Sequence, residues 1–123
     1  VDQANQNAYL LFVDVDDFKQ INDEKGHSFG DQVLMELADY TKSLLSNDTI
    51  VARWGGDEFT VIFKGNEKEL FKLLEKLHLF KFSLSTGVVK MTIKDRSIDE
   101  LFKRADRALY QAKKEGKGKY SFH

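Results

Sequence analysis

Residues 53–59 read Arg53-Trp54-Gly55-Gly56-Asp57-Glu58-Phe59, RWGGDEF, and this stretch with its flanks decides the fold. Thr49 to Trp54 (TIVARW) and Asp57 to Phe63 (DEFTVIF) are strand-like runs on either side of a glycine pair. Glycine supplies the positive φ of a tight primed turn at little steric cost. The stretch therefore predicts a two-residue β-hairpin with Gly55 and Gly56 at its tip. Two adjacent carboxylates, Asp57 and Glu58, follow the turn. Alone they read as a solvated hairpin end. On successive strand positions they point to opposite faces unless the turn brings them together.

A second acidic cluster lies upstream. Ala8 to Val13 (AYLLFV) is nearly continuously apolar, as a central strand buried on both faces should be. It ends in Asp14-Val15-Asp16-Asp17. A charged carboxylate at the end of a buried strand is costly unless a cation or strong donors face it. Sequential strands usually neighbour one another, so Asp14 is expected to meet Asp57 and Glu58 at one end of the sheet. Oxygen ligands without His or Cys favour a hard cation, Mg²⁺ or Mn²⁺, which completes its shell with phosphates and water. Asp14 and Asp17 also stand where carboxylates cap a following helix, and Asp17 fits that role better.

The remaining segments alternate helix and strand signals. Val1 to Asn7 reads as polar lead-in. Phe18 and Ile21 mark a short helix stopped by Gly26, and a loop with Gly26, His27, Ser28 and Gly30 is expected next. A helix follows from about Asp31 to Ser46, burying Val33, Leu34, Leu37, Thr41, Leu44 and Leu45. Asn66 with Glu69 forms a capping box for a helix through about Leu77, with Leu70, Phe71, Leu73, Leu74 and Leu77 inward. Phe80 to Val89 reads as a strand in which Gly87 marks a bulge or a close backbone approach. Ser97 with Glu100 suggests a second capping box, and Ile98, Leu101, Phe102, Ala105, Ala108, Leu109 and Ala112 stripe the helix after it. Lys113, Lys114, Lys117 and Lys119 crowd its end, either complementing the helix macrodipole or clamping phosphates. Lys119 to Phe122 adds a short edge strand. The order predicts an α+β domain over residues 1–123, with helices packed on an antiparallel-rich sheet.

Composition narrows the function classes. A chain of 123 residues with a net charge of −1 suits one domain and makes no global electrostatic case for nucleic acid or a membrane surface. No apolar run approaches the ~18 residues that a membrane span needs. The absence of Cys excludes disulfides and thiolate metal sites and fits a cytoplasmic setting. His27, His78 and His123 lack a metal-ligand spacing. Ser83 and Ser85 lack a His–Asp partner pattern, and the glycines form neither a Rossmann nor a P-loop fingerprint.

RWGGDEF, preceded by DVDDFKQINDEKGHSFGDQVL (Asp14 to Leu34) and followed by STGV (Ser85 to Val88) and ADRALYQAKKEGK (Ala105 to Lys117), resembles the GGDEF diguanylate cyclases. The match runs through nearly the whole chain in the family's order. The resemblance implies a nucleotidyl cyclase or polymerase-palm-like fold with a ferredoxin-like core, and the condensation of two GTP into cyclic di-GMP with release of two pyrophosphates. It implies a metal site of two Mg²⁺ or Mn²⁺ ions at Asp14, the Val15 carbonyl, Asp57 and Glu58, with Asp57 or Glu58 helping to deprotonate the attacking hydroxyl. Gly55 and Gly56 match the turn that lets backbone approach the nucleotide. Asp17, Phe18 and Lys19 match the phosphate loop, Asn22 and Asp31 the guanine readers, and Lys113 and Lys117 the pair that grips terminal phosphates. Catalysis then needs a second copy of the domain facing the first. An upstream sensor or dimerisation domain, no nucleic-acid partner and no direct membrane contact are expected. The alternative is a catalytically silent GTP-binding module that controls a partner domain.

Four departures from the family pattern stand out. The usual opening helix and D-x-L-T-G-L-x-N-R segment are missing, so the chain reads as a fragment of a longer signalling protein. Ser46 and Thr49 replace the ends of the inhibitory R-x-x-D product site. The segment between the hairpin and Phe80 is short. Gly116-Lys117-Gly118 stands in for the common G-[KR]-N.

Overall fold

Strand β1 (Asn7–Val15) is the central member of a five-stranded sheet. In the computed structural model the described residues are 7–45, 50–53, 58–91 and 97–123, with backbone alone over 50–53. The chain continues as α1 (Phe18–Lys25), α2 (His27–Ser43), β2 (Ile50–Arg53), β3 (Glu58–Gly65), α3 (Glu67–Leu77), β4 (Leu84–Met91), α4 (Ile98–Lys114) and β5 (Tyr120–Phe122). The strand order is β2-β3-β1-β4-β5. β1 pairs antiparallel with both β3 and β4, and β5 joins β4 in parallel. The expected α+β, antiparallel-rich architecture is thus present.

Side chains alternate along β1, and each face is covered by helices. Tyr9, Leu11, Val13 and Val15 enter a core with Val33, Leu34 and Leu37 of α2 and Leu70, Leu73, Leu74 and Leu77 of α3. Leu10 and Phe12 enter a second core with Val89 of β4 and Leu101, Ala105 and Leu109 of α4. Burial on both faces is what the continuous apolar run predicted.

Several boundaries differ from the sequence expectation. β1 continues through Val15, so Asp14 lies inside the strand rather than at its end. The loop expected around residues 26–30 is the first turn of α2. One residue, Gly26 at φ 92°, ends α1 and starts α2. Gly30 lies within α2, and α1 packs against it: a Cβ there would meet Asn22 Oδ1 at 1.8 Å. α2 ends at Ser43, and Leu44 and Leu45 pack against the core from beyond it. Phe80 and Phe82 do the same ahead of β4, which starts only at Leu84. Ile98 and Phe71 are exposed rather than inward.

The hairpin register also differs. Among the described residues the register sets Arg53 against Phe59. A two-residue turn on Gly55 and Gly56 would set Arg53 against Glu58. Phe59 points into the core and Glu58 to the opposite face, because side chains alternate with period two and β3 pairs with β1 at Val13–Phe59 and Asp14–Glu58. The predicted tip itself, Trp54 to Asp57, lies outside the described residues, as do Ser46 and Thr49.

Caps behave as their residue types dictate. Asn66 Oδ1 accepts from Glu69 N–H at 2.8 Å and Glu69 Oε1 accepts from Asn66 N–H at 2.9 Å, the predicted capping box of α3. Ser97 Oγ accepts from Glu100 N–H at 3.1 Å at the start of α4, the forward half of the second box.

Gly87 marks a close approach. A Cβ there would lie 2.3 Å from Leu109 N and 2.5 Å from Ala105 O, both backbone atoms of α4. Backbone cannot rotate aside, so even one methyl must push the helix away. Gly87→Ala should lower the unfolding free energy by about 3 kcal/mol, the upper end of ordinary overpacking, measured as a shift in urea midpoint. An unchanged midpoint would show that α4 has slack against the sheet.

Candidate functional site

The site is built at the end of the sheet where β1, β3 and β4 carry polar residues. Asp14 lies opposite Glu58 on β3 and opposite Ser85 on β4. Directly opposed residues share a face, with Cβ atoms roughly 5 Å apart. Asp14 continues the Leu10–Phe12 face, so it looks toward α4. It is buried, and its Oδ2 forms an ion pair with the ammonium of Lys113 from the last turn of α4. The expected meeting of Asp14 with the hairpin arm is therefore present for Glu58. Gly55, Gly56 and Asp57 lie outside the described residues. A hollow of about 240 Å³ opens beside Glu58, bounded by Phe12, Phe102, Lys103 and Asp106.

A third carboxylate holds the framework together. Asp16, buried, accepts from Ser85 Oγ at 2.5 Å, from Ser83 Oγ at 2.6 Å and from Gly118 N–H at 2.9 Å. Its own N–H donates to Ser83 O at 2.9 Å. Three donors on one carboxylate satisfy its burial. They also tie the β1–α1 junction to the start of β4 and to the loop after α4.

That loop is shaped by backbone conformation. α4 ends in a Schellman motif: Lys117 N–H donates to Ala112 O and Gly116 N–H to Lys113 O, each at 3.2 Å. Gly116, Lys117 and Gly118 all have positive φ, at 123°, 61° and 63°. The family's Asn at position 118 and the Gly found here both tolerate that region, which accounts for the departure. Lys117 turns back to place Nζ 2.6 Å from Asp17 Oδ1, and this hydrogen bond holds its ammonium above the usual lysine pKa. Asp17 is itself left-handed, φ 57°, and makes no side-chain cap on α1. The N-cap role suggested by the sequence is replaced by the ion pair. Among the described residues, Asp17 and Lys117 are the non-glycine residues with positive φ, and they are partners.

The other predicted residues lie at the end of β1 and on α1 and α2. Val15 is the last residue of β1, opposite Leu84. Phe18 packs its ring on the core while Lys19 is exposed in the first turn of α1. Asn22 abuts Gly30, and Asp31, the next residue, is exposed. The buried Asn22 Oδ1 has no hydrogen-bond partner among the described residues, which leaves an acceptor beside Asp31.

Asp14 and Glu58 offer only oxygen, and the buried Asp14 carboxylate already draws a cation to itself; both traits fit a hard divalent ion. Among the described residues no set of three or more His, Cys, Asp or Glu side chains converges on a metal position.

Sequence reading missed Asp16, Ser83, Ser85, Gly118 and His78 as one cluster. Ser83 and Ser85 do have an Asp partner, brought from 67 and 69 residues away. They are not nucleophiles in a triad, since both hydroxyls donate to Asp16 and His78 Nε2 lies 2.9 Å from Thr86 Oγ1 instead. Burial lowers the His78 pKa, against opposing pulls from the Asp16 charge and a Gly118 backbone hydrogen bond. A histidine with a depressed folded pKa stabilises the fold above its unfolded value near 6.5. That stability is lost as pH falls from there toward the folded pKa, because the unfolded chain takes the proton first. Urea melts at pH 7.5 and 5.5 should show a loss in the parent that is smaller in His78→Gln. Equal losses would remove His78 as the cause.

Comparison with known proteins bears on the fold and the family. The family model described as "Diguanylate cyclase, GGDEF domain" matches residues 1–119. Diguanylate cyclase DgcM of Escherichia coli (strain K12) is 39% identical over 125 residues, covering 93% of this chain and 30% of DgcM. The chain thus spans about a third of that relative's length. Diguanylate cyclase SiaD from Pseudomonas aeruginosa, solved in complex with its activator SiaC, has a TM-score of 0.88 and 31% identity over 99% of this chain and 52% of that one. The GGDEF domain of DgcB from Caulobacter crescentus, solved in complex with c-di-GMP, has a TM-score of 0.85 and 25% identity over 98% of this chain and 80% of that one. The α+β sheet with helices on both faces is accordingly the palm-like fold of these domains. With the family model matching from the first residue through Lys119, the chain belongs to the GGDEF domain family of diguanylate cyclases.

Proposed function

We propose that this chain is the catalytic domain of a diguanylate cyclase, which condenses two GTP into cyclic di-GMP and releases two pyrophosphates. The observation that carries the reading is the convergence of Asp14 and Glu58 on adjacent strands with Lys113 and Lys117 of the α4 end. Carboxylates for a divalent ion and cations for a polyphosphate thus share one edge.

Each residue then has a task. Asp14, the Val15 carbonyl, Asp57 and Glu58 would hold two Mg²⁺ or Mn²⁺ ions, which supply charge stabilisation at the α-phosphate and the leaving pyrophosphate. Asp57 or Glu58 accepts the proton of the attacking 3′-hydroxyl. Gly55 and Gly56 let the backbone come close to the nucleotide. N–H groups from Asp17, Phe18 and Lys19 in the first turn of α1 have no intrahelical partners and face the phosphates. Lys113 and Lys117 bind the terminal phosphates. Asp31 accepts from guanine N1–H and N2–H₂, and Asn22 serves the remaining polar edge.

One domain presents one nucleotide. Two copies related by a two-fold axis are therefore required to close the ring, and the reaction belongs to a homodimer. An upstream sensor or dimerisation region would set how often two copies meet. SiaD, crystallised with an activator, is a precedent for control by a partner. No helix of the described residues is long and apolar enough to cross a membrane. We place the domain in the cytoplasm, beside its GTP, with any anchor elsewhere in the parent protein.

Incubation with GTP and Mg²⁺ at high protein concentration, or fused to a dimerising coiled coil, should yield cyclic di-GMP by chromatography. Tight GTP binding without product under both conditions would select the silent regulatory module instead. Glu58→Gln should cut turnover by about a hundredfold or more, the usual contribution of a general base or metal carboxylate. Asp31→Ala should lower kcat/KM for GTP by about tenfold and narrow its preference over ATP, since a charged hydrogen-bond acceptor is lost. An unchanged GTP-to-ATP ratio would remove Asp31 from base recognition.

A further inference from the structure

Both cations assigned above to the phosphates are already engaged. Lys113 pairs with Asp14, and Lys117 pairs with Asp17. The two pairs differ in kind. Asp17 and Lys117 are both about half exposed, at 54% and 46% of their side-chain surface, so water competes with that bridge. The Asp14 side chain is only 7% exposed, whereas that of Lys113 is 39% exposed. A buried carboxylate requires a positive partner, and here the lysine reaches in from the rim to supply one.

We propose that the Lys113 ammonium is a stand-in for the divalent cation, and that the metal displaces it from Asp14 so that it becomes available to the triphosphate. The inference rests on the metal reading of Asp14 and Glu58 given above. A divalent ion between Asp14 and Glu58 satisfies Asp14 better than one ammonium and repels that ammonium. The long, partly exposed lysine stem lets Nζ leave while Asp14 stays fixed in β1. The displaced charge remains at the end of α4, where phosphate oxygens offer it a new partner.

Two consequences follow. In the absence of nucleotide, metal binding is weakened by the fraction of time that Lys113 holds Asp14; a pair formed nine-tenths of the time costs about tenfold in affinity. A triphosphate that draws Lys113 away removes that penalty. Metal and triphosphate therefore favour each other's binding, and the coupling is equal in both directions. A site that binds free metal poorly and free nucleotide poorly, but the pair well, loads only with the reactive combination.

The test is Mn²⁺ titration without nucleotide, followed by loss of the free-ion paramagnetic resonance signal, with circular dichroism confirming the fold of each variant. Lys113→Met should bind Mn²⁺ about tenfold more tightly than the parent, while its affinity for a non-hydrolysable GTP analogue with Mg²⁺ falls. Lys113→Arg keeps the ion pair and should bind Mn²⁺ as weakly as the parent. Asp14→Asn should lose Mn²⁺ binding. If Asp14→Asn loses binding but Lys113→Met binds Mn²⁺ no better than the parent, the exchange is wrong and the metal site stands. If Asp14→Asn binds Mn²⁺ as the parent does, the metal reading and the exchange fall together. The parent alone offers a check that needs no folded Met variant. Mg²⁺ without nucleotide should shift the Lys113 side-chain ammonium resonance toward that of a free lysine. A resonance that stays put while Mg²⁺ binds would overturn the exchange.

Discussion

A carboxylate buried in the central strand is the constraint on which the rest depends. Asp14 occupies a position that the alternation of β1 assigns to the apolar layer beneath α4. An uncompensated charge there would cost several kcal/mol. The fold must therefore bring a cation to that spot, and it does so with the last turn of α4, more than ninety residues later in the chain. The close seat of α4 on Gly87, the small residues Ala105, Ala108 and Ala112 along its buried stripe, and the Schellman ending all set where Lys113 and Lys117 emerge. Site geometry and helix packing are thus one problem with one solution.

Asp16 solves the complementary problem of holding the loops still. Its three donors add side-chain ties between the left-handed residues Asp17 and Lys117 and the sheet, beside the backbone bonds from Asp16 N–H to Ser83 O and from Thr86 N–H to Lys119 O. Left-handed backbone at non-glycine residues costs roughly 1–2 kcal/mol each. Such conformations persist where surrounding contacts over-determine them. Here the ion pair and the Asp16 hub are those contacts.

The fold was legible wherever a local pattern carried it: the double-sided apolar run of β1, the Asn66–Glu69 box, the α4 stripe and the short edge strand at the end, though not that strand's parallel pairing. Helix limits near Gly26 and Gly30 were misread because glycine has two uses. Gly26 supplies a backbone angle, while Gly30 supplies space for Asn22, and composition does not distinguish them. The hairpin register escaped for a related reason, since a glycine pair names a turn without counting its residues. Of the candidate site, motif resemblance singled out Asp14, Glu58, Lys113 and Lys117; the structure pairs Asp14 with Lys113, sets it opposite Glu58, and pairs Lys117 with Asp17. The Asp16 cluster was invisible because its members are single serines, a histidine and a backbone N–H, drawn from three distant segments with no spacing rule between them. Only topology assembles it.

The Gly87 contact carries one last implication. At Gly87 helix backbone rests directly on strand backbone, with no strand side chain between them at that point. Tilting α4 about that point would separate main-chain surfaces in van der Waals contact, and the packing there resists it. A helix seated this closely is a poor lever for internal distortion. For the homodimer proposed above, the control variable would then be how often, and in what orientation, two copies are presented to each other: regulation by traffic between parts.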